Sequence, residues 1–459
     1  LDSSIYGTFA EIGAGQETVR HFFRAGGASQ TIAKAMSAYD KDFSDAIYGT
    51  ENKNRYVTQN RLRKMLRYEM ALIEERIPRE KNPGKKFFSY ANTVTTINFD
   101  KTSKGHGWVG IRYQNGEQEE YNEIVIHVKF KETNPTLQQE TLGSLGVNLI
   151  YGAYFYIDNP RVLVESLYDD LSLDRLEIDM IDFSGPAFQY VDNRLMSLQL
   201  VKLGMTDAVI FNSEGSNMLP ADILYKKNIF AVRGSFRPVT RVNIDMFEHG
   251  LDLFNQDNAC DSENTQILFE ITISNLRAAG DIDERDFLDR VDILGTLGYT
   301  VMISNFSEYY RMVDYFSSFT NQYIGVAMGV NNLLDVFDEE YYKNLPGGIL
   351  EAFGKFFKKD MRVYLYPYKD PENGELLTSE NLKVHDNLKE LYKYFKLNKR
   401  IVDIEKYNPK FLEIYSREIL KKIMAHDLGW EDELPKGVAQ IIKERGMFGY
   451  KELTFEGLK

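Results

Sequence analysis

The sequence has little cysteine and no long uncharged apolar run. Cys260 is the single cysteine among 459 residues, so no disulfide can form within the chain, as is usual in a reducing compartment. The longest strongly apolar stretch, VNLIYGAYFYI at 147–157, is too short to cross a bilayer as a helix. No basic segment followed by an apolar run opens the chain, although a start upstream of Leu1 stays open because the first residue is not Met. We therefore expect a cytoplasmic protein without a membrane partner.

Positive charge is in deficit as well. Lys and Arg number 55 against 68 Asp and Glu, which gives a net charge of -13. Such a field repels phosphate backbones, so nucleic acid is not the expected partner. The six histidines show no metal-ligand spacing, so zinc is not expected, and no motif identifies a metal site or a cofactor.

Aromatic residues are plentiful, with 29 Tyr and 29 Phe but only 2 Trp. Tyr and Phe bury a large area per residue and are favoured in subunit interfaces, so we expect a homo-oligomer. A large aromatic core explains the same composition. The alternative function that this composition supports is a structural, self-assembling cytosolic protein without catalysis.

Hydrophobic periodicity predicts an α/β protein. Residues 15–48 and 58–77 have helical patterns, and β-branched and aromatic segments between about 86 and 130 predict an antiparallel meander. Strands and helices then alternate, which favours parallel pairing in a (β/α)8-barrel-like or an open doubly wound sheet. The predicted strands are 124–130, 147–157, 175–183, 206–212, 228–233, 299–304, 322–329 and 361–368.

This pattern divides the chain into three parts. They are an N-terminal region of helices and meander at 1–123, a parallel α/β core at 124–370 and a C-terminal helical extension at 371–459. The segment TQILFEITISNLRAAG at 265–280 is ambiguous, because its β-branched residues favour a strand whereas LRAAG is typical of a helix end.

The opening stretch FAEIGAGQE, at 9–17, predicts a strand, a glycine turn and a helix. It resembles the first motif of class I methyltransferases, in which an acidic residue and a glycine turn lie beneath a nucleoside. Such a site requires a second strand after the first helix. Because the segments that follow have helical patterns, we interpret the turn as structural.

In a parallel sheet, ligands bind at the carboxyl ends of the strands, so polar residues there are the candidates for chemistry. The predicted strand 175–183 supplies Asp179 and Asp182, which are suited to general-base work or metal binding. The competing explanation is an ion pair with Arg175 or Arg194, because carboxylates beside an apolar strand are costly to bury unpaired.

The predicted strand 228–233 is followed by a cationic loop, RGSFRPVTR. Its guanidinium groups suit phosphate or carboxylate, because they donate in a planar fork. Ion pairing with acidic neighbours is the alternative. We take Arg233, Ser235 and Arg237 as candidate ligands for an anion.

Other predicted strand ends carry polar residues that could orient a ligand. Asn and Ser before a helix are also common caps, which is the alternative explanation for most of them. The candidates are Asn212, Ser213, Ser304, Asn305 and Lys369.

Two stretches, HFFRAGGASQTIAKAMSAYDKDFSDAIYG at 21–49 and LPGGILEAFGKFF at 345–357, resemble an uncharacterised bacterial protein family. Its members carry the labels TonB-dependent receptor and nicotinate-nucleotide adenylyltransferase. The first label implies a series of alternating membrane strands, which this strand and helix pattern does not have. The second implies an H-x-G-H motif, whereas the nearest string here is Gly105-His106-Gly107-Trp108. The resemblance therefore implies a bacterial cytosolic protein and transfers no catalytic residue.

Together these features predict a cytosolic enzyme, or an enzyme-derived binder, of a small phosphorylated or otherwise anionic metabolite. A sugar phosphate or a nucleotide-like molecule would suit the candidate residues. In this hypothesis Arg233 and Arg237 anchor the anion, and Asp179 or Asp182 acts as a base or metal ligand.

Overall fold

The structure is a computed structural model that describes residues 2–51, 55–101, 103–116, 120–256, 261–277, 280–358 and 360–451. Cys260 lies outside these residues. The chain divides into two compact units, Leu1–Asp207 and Ala208–Lys459, here called the first and the second unit. The sequence pattern predicted boundaries between parts of the chain at 123/124 and 370/371 instead. Among the described residues, no helix combines the length and the apolar character that crossing a membrane requires.

The first unit contains a six-stranded sheet. Its strands are β1 (Ile5–Ile12), β2 (Ile32–Met36), β3 (Lys86–Thr95), β4 (His106–Tyr113), β5 (Asn122–Phe130) and β6 (Leu176–Ser184). They lie in the order β2-β1-β3-β4-β5-β6. The pairs β1/β2 and β1/β3 are parallel, and β3 to β6 form an antiparallel series. The predicted meander is therefore confirmed, and it continues the same sheet as the N-terminal parallel strands.

Helices cover both faces of this sheet. They are α1 (Glu17–Ala25), α2 (Lys41–Tyr48), α3 (Gln59–Arg76), α4 (Pro135–Phe155), α5 (Pro160–Ser166) and α6 (Asn193–Lys202). On one face, Ser89 of β3 donates to the Leu66 carbonyl of α3 at 2.8 Å. Its neighbours Phe88 and Tyr90 point the other way and pack in a core with Leu145 of α4.

Two sequence predictions fail in the first unit. The apolar run 147–157 was predicted as a strand but lies mostly in α4, whose Gly143 and Gly146 pack closely against Glu17 and Thr18. A helix that is apolar on every side and a buried strand give the same local pattern, so periodicity could not separate them. Residues 15–48 were predicted helical throughout, but β2 interrupts them.

The second unit contains an eight-stranded sheet. Its strands are β7 (Ala208–Phe211), β8 (Asn217–Met218), β9 (Asn228–Arg233), β10 (Thr265–Thr272), β11 (Val301–Ser304), β12 (Ile324–Gly329), β13 (Arg362–Tyr366) and β16 (Ile401–Asp403). They lie in the order β16-β13-β12-β9-β10-β11-β7-β8. A separate ribbon pairs β14 (Tyr368–Lys369) with β15 (Leu376–Leu377).

The six strands from β16 to β11 are parallel, and β7 and β8 are antiparallel additions. The ambiguous segment 265–280 contains both predicted elements, β10 and a short helix. Within the described residues β16 and β8 are the two edges of the sheet, so the sheet is open and no barrel closes. The α/β class and the open-sheet alternative are confirmed, and the (β/α)8-barrel-like alternative is wrong.

Helices lie on both faces of this sheet too. They are α7 (Pro220–Leu224), α8 (Arg241–Gln256), α9 (Ile273–Arg277), α10 (Glu284–Thr296), α11 (Tyr309–Ser317), α12 (Val330–Val336), α13 (Gly348–Phe356), α14 (Lys389–Leu397), α15 (Ser416–Ala425) and α16 (Val438–Arg445). Alternate residues of β9 point to opposite faces. Ile229 joins a core with Met312 of α11, whereas the Phe230 ring lies 5.3 Å from that of Phe254 in α8.

Gly325 in β12 makes a close approach that generates a stability prediction. A Cβ atom at this position would lie 2.6 Å from Phe254 and 2.8 Å from Phe230. We expect Gly325→Ala to lower the free energy of unfolding of the second unit by about 1–3 kcal/mol, because two packed rings must shift. Gly354→Ala in α13 is the control: no heavy atom lies within 4 Å of its Cβ position, so it should be neutral or stabilising by up to about 1 kcal/mol. Equal urea midpoints for the two variants would contradict the packing described.

Candidate functional site

A cavity of about 770 Å³ opens at the carboxyl edge of the eight-stranded sheet. Parts of segments 233–237, 242–246, 329–332, 366–368 and 412–421 line it, together with Asn275, and all of them belong to the second unit. The first of these segments follows β9, the third follows β12 and the fourth follows β13. The cavity therefore lies where parallel α/β sheets bind their ligands.

The strand order explains why a crevice opens there. After β9 the chain adds β10 and β11 on one side of that strand, and it then returns to add β12, β13 and β16 on the other side. The connections thus leave β9 and β12 in opposite directions. Such a reversal separates the loops above the two strands and leaves a crevice between them.

The lining is basic although the protein is acidic. Among the described residues that line the cavity are Arg233, Arg237, Arg417 and Lys421, and there is no carboxylate. The acidic partners of these cations lie outside the lining. The cavity wall therefore presents positive charge in a chain whose net charge is -13.

Arg233 forms a buried ion pair. Its Nε donates to Glu270 Oε2 at 2.6 Å and its Nη2 to Glu270 Oε1 at 3.0 Å, and the Glu270 side chain is fully buried. Ser304 also donates to Glu270, at 2.5 Å, and the Arg233 guanidinium lies 4.3 Å from the centre of the Tyr309 ring. Burial alone would lower the pKa of Arg233, but the Glu270 carboxylate outweighs burial and raises it. Arg233 is therefore a fixed charge at the cavity wall.

Arg237 shares its acidic partner with another arginine. Its Nε donates to Asp286 Oδ1, and Arg290 donates to Asp286 Oδ2. Arg290 is almost fully buried and also donates to the main-chain carbonyls of Ser235 and Asn275, at 3.1 and 3.3 Å. Two guanidinium groups thus share the Asp286 carboxylate, so Arg237 has no acidic partner of its own.

The structure brings three of the predicted residues together, namely Arg233, Ser235 and Arg237. Ser304 lies behind the wall as a buried partner of Glu270, and Lys369 pairs with Glu413 at 2.6 Å. Asn305 is exposed after β11 and does not line the cavity.

Asn212 and Ser213 lie at the amino ends of the parallel strands, opposite to the cavity. The antiparallel strand β7 places Ala208 beside Ser304, so β7 ends where the parallel strands begin. Asn212 Oδ1 accepts from the main-chain N–H groups of Glu214 and Ser216, which makes it a turn residue. The prediction that all these polar residues share one rim is therefore wrong for this pair.

Asp179 belongs to the other sheet, in the first unit. Its carboxylate contacts His127 Nδ1 at 2.5 Å and Lys129 Nζ at 2.7 Å, and His127 Nε2 lies 3.3 Å from His106 Nδ1. Burial alone would raise the pKa of Asp179, but the charges of His127 and Lys129 hold it below its usual range. Asp179 is an ionised, paired carboxylate.

Asp182 is also paired. It accepts from Arg63 at 2.5 Å and from Asn193 at 3.1 Å, and burial raises its pKa. Ion pairing was therefore the right alternative for both aspartates, but the proposed partners were wrong. Arg175 pairs with Glu132 and Arg194 with Asp192. Because β6 and β9 belong to different sheets, the two aspartates share no sheet edge with Arg233.

The glycine turn at 9–17 is followed by a second strand, which the sequence pattern did not predict. This strand is β2, which comes after α1 and pairs with β1 in parallel. Nevertheless, the carboxylate of Glu11 accepts from the N–H groups of Thr18 and Val19 in the first turn of α1. Gly13 is required because a Cβ there would lie 1.8 Å from the Val94 carbonyl oxygen. These contacts support a structural interpretation of the turn, but the expected lack of a second strand was wrong.

Sequence reasoning missed the contributions of α10 and of the C-terminal region. Arg290 and Asp286 lie within a helix, where charged residues are usually solvated, so no local signal marked them. Tyr415 and Arg417 line the cavity from the start of α15, in a region predicted as a separate extension. Within the described residues no group of three or more His, Cys, Asp or Glu side chains is arranged to hold a metal ion.

Comparisons with known proteins add little. No family model matches the chain, and no curated protein matches its sequence. One solved structure, a competence-damaged protein (CinA) superfamily protein from Enterobacter cloacae, is 11% identical and covers 33% of this chain and 83% of its own, with a TM-score of 0.24. A likeness at that level carries no argument about function.

The two cavity arginines should differ in their effect on stability. We expect Arg233→Ala to lower the free energy of unfolding by about 3–5 kcal/mol, because Glu270 is left buried and unpaired. Arg237→Ala should cost much less, since Arg290 still pairs with Asp286. Urea unfolding of the two variants measures the difference. Equal losses would show that the Arg233–Glu270 pair is not the fixed charge described here.

The histidine cluster of the first unit generates a pH prediction. Burial, and then the charge of His127, lower the pKa of His106 from 6.5 to about 4. Between these values the unfolded chain binds a proton at His106 that the folded chain does not, so stability falls as the pH is lowered from 6.5 to 4. Relative to His106→Gln, the wild type should lose at most about 3 kcal/mol over this window. Parallel stability profiles of the two proteins, from urea unfolding at each pH, would contradict the assignment.

Proposed function

We propose that the second unit binds a small phosphorylated or otherwise anionic metabolite in this cavity, as a cytosolic enzyme or enzyme-derived binder. The observation that carries the proposal is the state of Arg237. Asp286 holds its Nε from behind, and neither Nη atom has a hydrogen-bond partner among the described residues. A guanidinium held at one side and free at the other presents a fork that matches phosphate or carboxylate oxygens.

The surroundings of Arg237 support an anion rather than a neutral ligand. Arg417 lines the same cavity, is exposed and has no ion pair or hydrogen bond with a described residue. Arg290 also donates to Asp286, so the carboxylate behind Arg237 stays paired when the Nη atoms of Arg237 bind a ligand. The proposal covers binding and assigns no reaction, because Asp179 and Asp182 are both held in ion pairs of the other sheet.

Calorimetric titration with ribose 5-phosphate and with inorganic phosphate tests this proposal. We expect saturable binding of both by the wild type, weakened by added NaCl. Arg237→Ala should lower both affinities about tenfold or more, because a hydrogen bond to a charged group contributes about 1.5–3 kcal/mol. The folded state should persist, since Arg290 retains Asp286.

Arg445→Ala is the matched control, because Arg445 is exposed, pairs with Asp292 at 3.6 Å and does not line the cavity. It should leave both affinities unchanged. Absence of any phosphate-dependent heat, or equal affinities in wild type and Arg237→Ala, would overturn the proposal.

A further inference from the structure

The type of side chain that lines the cavity differs from strand to strand along the carboxyl ends of the sheet. Strands β13, β12 and β9 are consecutive neighbours, with Gly329 aligned to Tyr366 and Ala327 to Val232. Tyrosines follow β13, asparagines follow β12 and arginines follow β9. Because adjacent strands lie about 4.8 Å apart, the aromatic and cationic ends are separated by two spacings, or roughly 10 Å.

The aromatic end is formed by Tyr368 and Tyr415. Burial, and then the neighbouring Tyr415, raise the pKa of Tyr368, and neither ring packs against another ring of the described residues. Leu412 and Ile414, which lie close to Tyr415 in the chain, also line the cavity. Tyr368 is partly buried against the hydrophobic core of the second unit, whereas Tyr415 is exposed. The Tyr415 ring and these apolar side chains are thus available to a flat apolar group. Stacking of a planar base on such rings contributes about 1–3 kcal/mol.

The middle of the cavity is polar and uncharged. Asn331 and Asn332 line it, and neither side chain has a hydrogen-bond partner among the described residues. Each amide offers both donors and an acceptor, which suits hydroxyl groups on a ligand.

We propose that the natural ligand is a nucleotide-like molecule, with an anionic group at Arg237, a polyhydroxylated middle at the asparagines and a planar ring at Tyr368 and Tyr415. This inference rests on the proposed function, since it uses the same anion anchor. The nucleotide inference differs in that the ligand carries a planar ring, which a simple sugar phosphate lacks. The order of arginine, amide and aromatic side chains along one sheet edge matches the order of phosphate, ribose and base in a nucleoside monophosphate.

Comparison of two probes that share one anion isolates the ring. Ribose 5-phosphate and adenosine 5′-monophosphate carry the same phosphorylated ribose, and only the second has a base. We expect the wild type to bind adenosine 5′-monophosphate about tenfold tighter or more in calorimetric titrations. Uridine 5′-monophosphate, measured in parallel, should share the preference because stacking tolerates any base.

Variants then assign the preference to the tyrosines. Tyr415→Ala and Tyr368→Ala should bring the affinity ratio of the two probes toward one while leaving the affinity for ribose 5-phosphate unchanged. Tyr415→Phe keeps the ring and should keep the ratio. Arg237→Ala should weaken both probes equally and preserve the ratio.

The outcomes separate the two proposals. Equal, saturable affinities of the wild type for ribose 5-phosphate and both nucleotides would leave the anion site standing and overturn the nucleotide inference. A ring preference that survives both Tyr→Ala changes would also overturn it. Failure of every probe to bind would overturn the proposed function itself.

Discussion

The position of β9 in the sheet of the second unit determines where the cavity opens. Its two neighbours, β10 and β12, are both parallel to it, yet the chain reaches them by connections that leave in opposite directions. This reversal keeps the loops after β9 and β12 apart and opens the cavity. Every residue that we assign to ligand binding is placed by a strand end or helix start around this point.

The charges around the cavity then determine which kind of ligand it can bind. The ion pair between Arg233 and Glu270 is buried, and each side chain has its charged partner, so the pair holds this part of the cavity wall in place. Arg237 differs because it shares Asp286 with Arg290 and keeps free donors on the cavity side. A guanidinium that shares its carboxylate and faces a crevice can attract a small anion, even in a protein whose overall field is negative.

The sequence predicted the α/β class and the positions of Arg233, Ser235 and Arg237, because a cationic loop directly after an apolar strand is a local pattern. It could not predict that β7 runs antiparallel to β11. Because of that direction, Asn212 and Ser213 lie at the amino ends of the parallel strands and not at the cavity. Strand direction depends on pairing between distant segments and leaves no local mark. The aspartates were misplaced for a related reason: β6 pairs antiparallel with β5 in the first sheet, although helices lie between the two strands in sequence. The predicted homo-oligomer stays a prediction.

An anion site at Arg237 is the central claim, and anomalous diffraction from crystals soaked in tungstate, a heavy mimic of phosphate, tests it most directly. The account predicts an anomalous peak within hydrogen-bonding distance of the Arg237 Nη atoms, on the carboxyl side of β9. Strong peaks elsewhere on the second unit, with none beside Arg237, would contradict it.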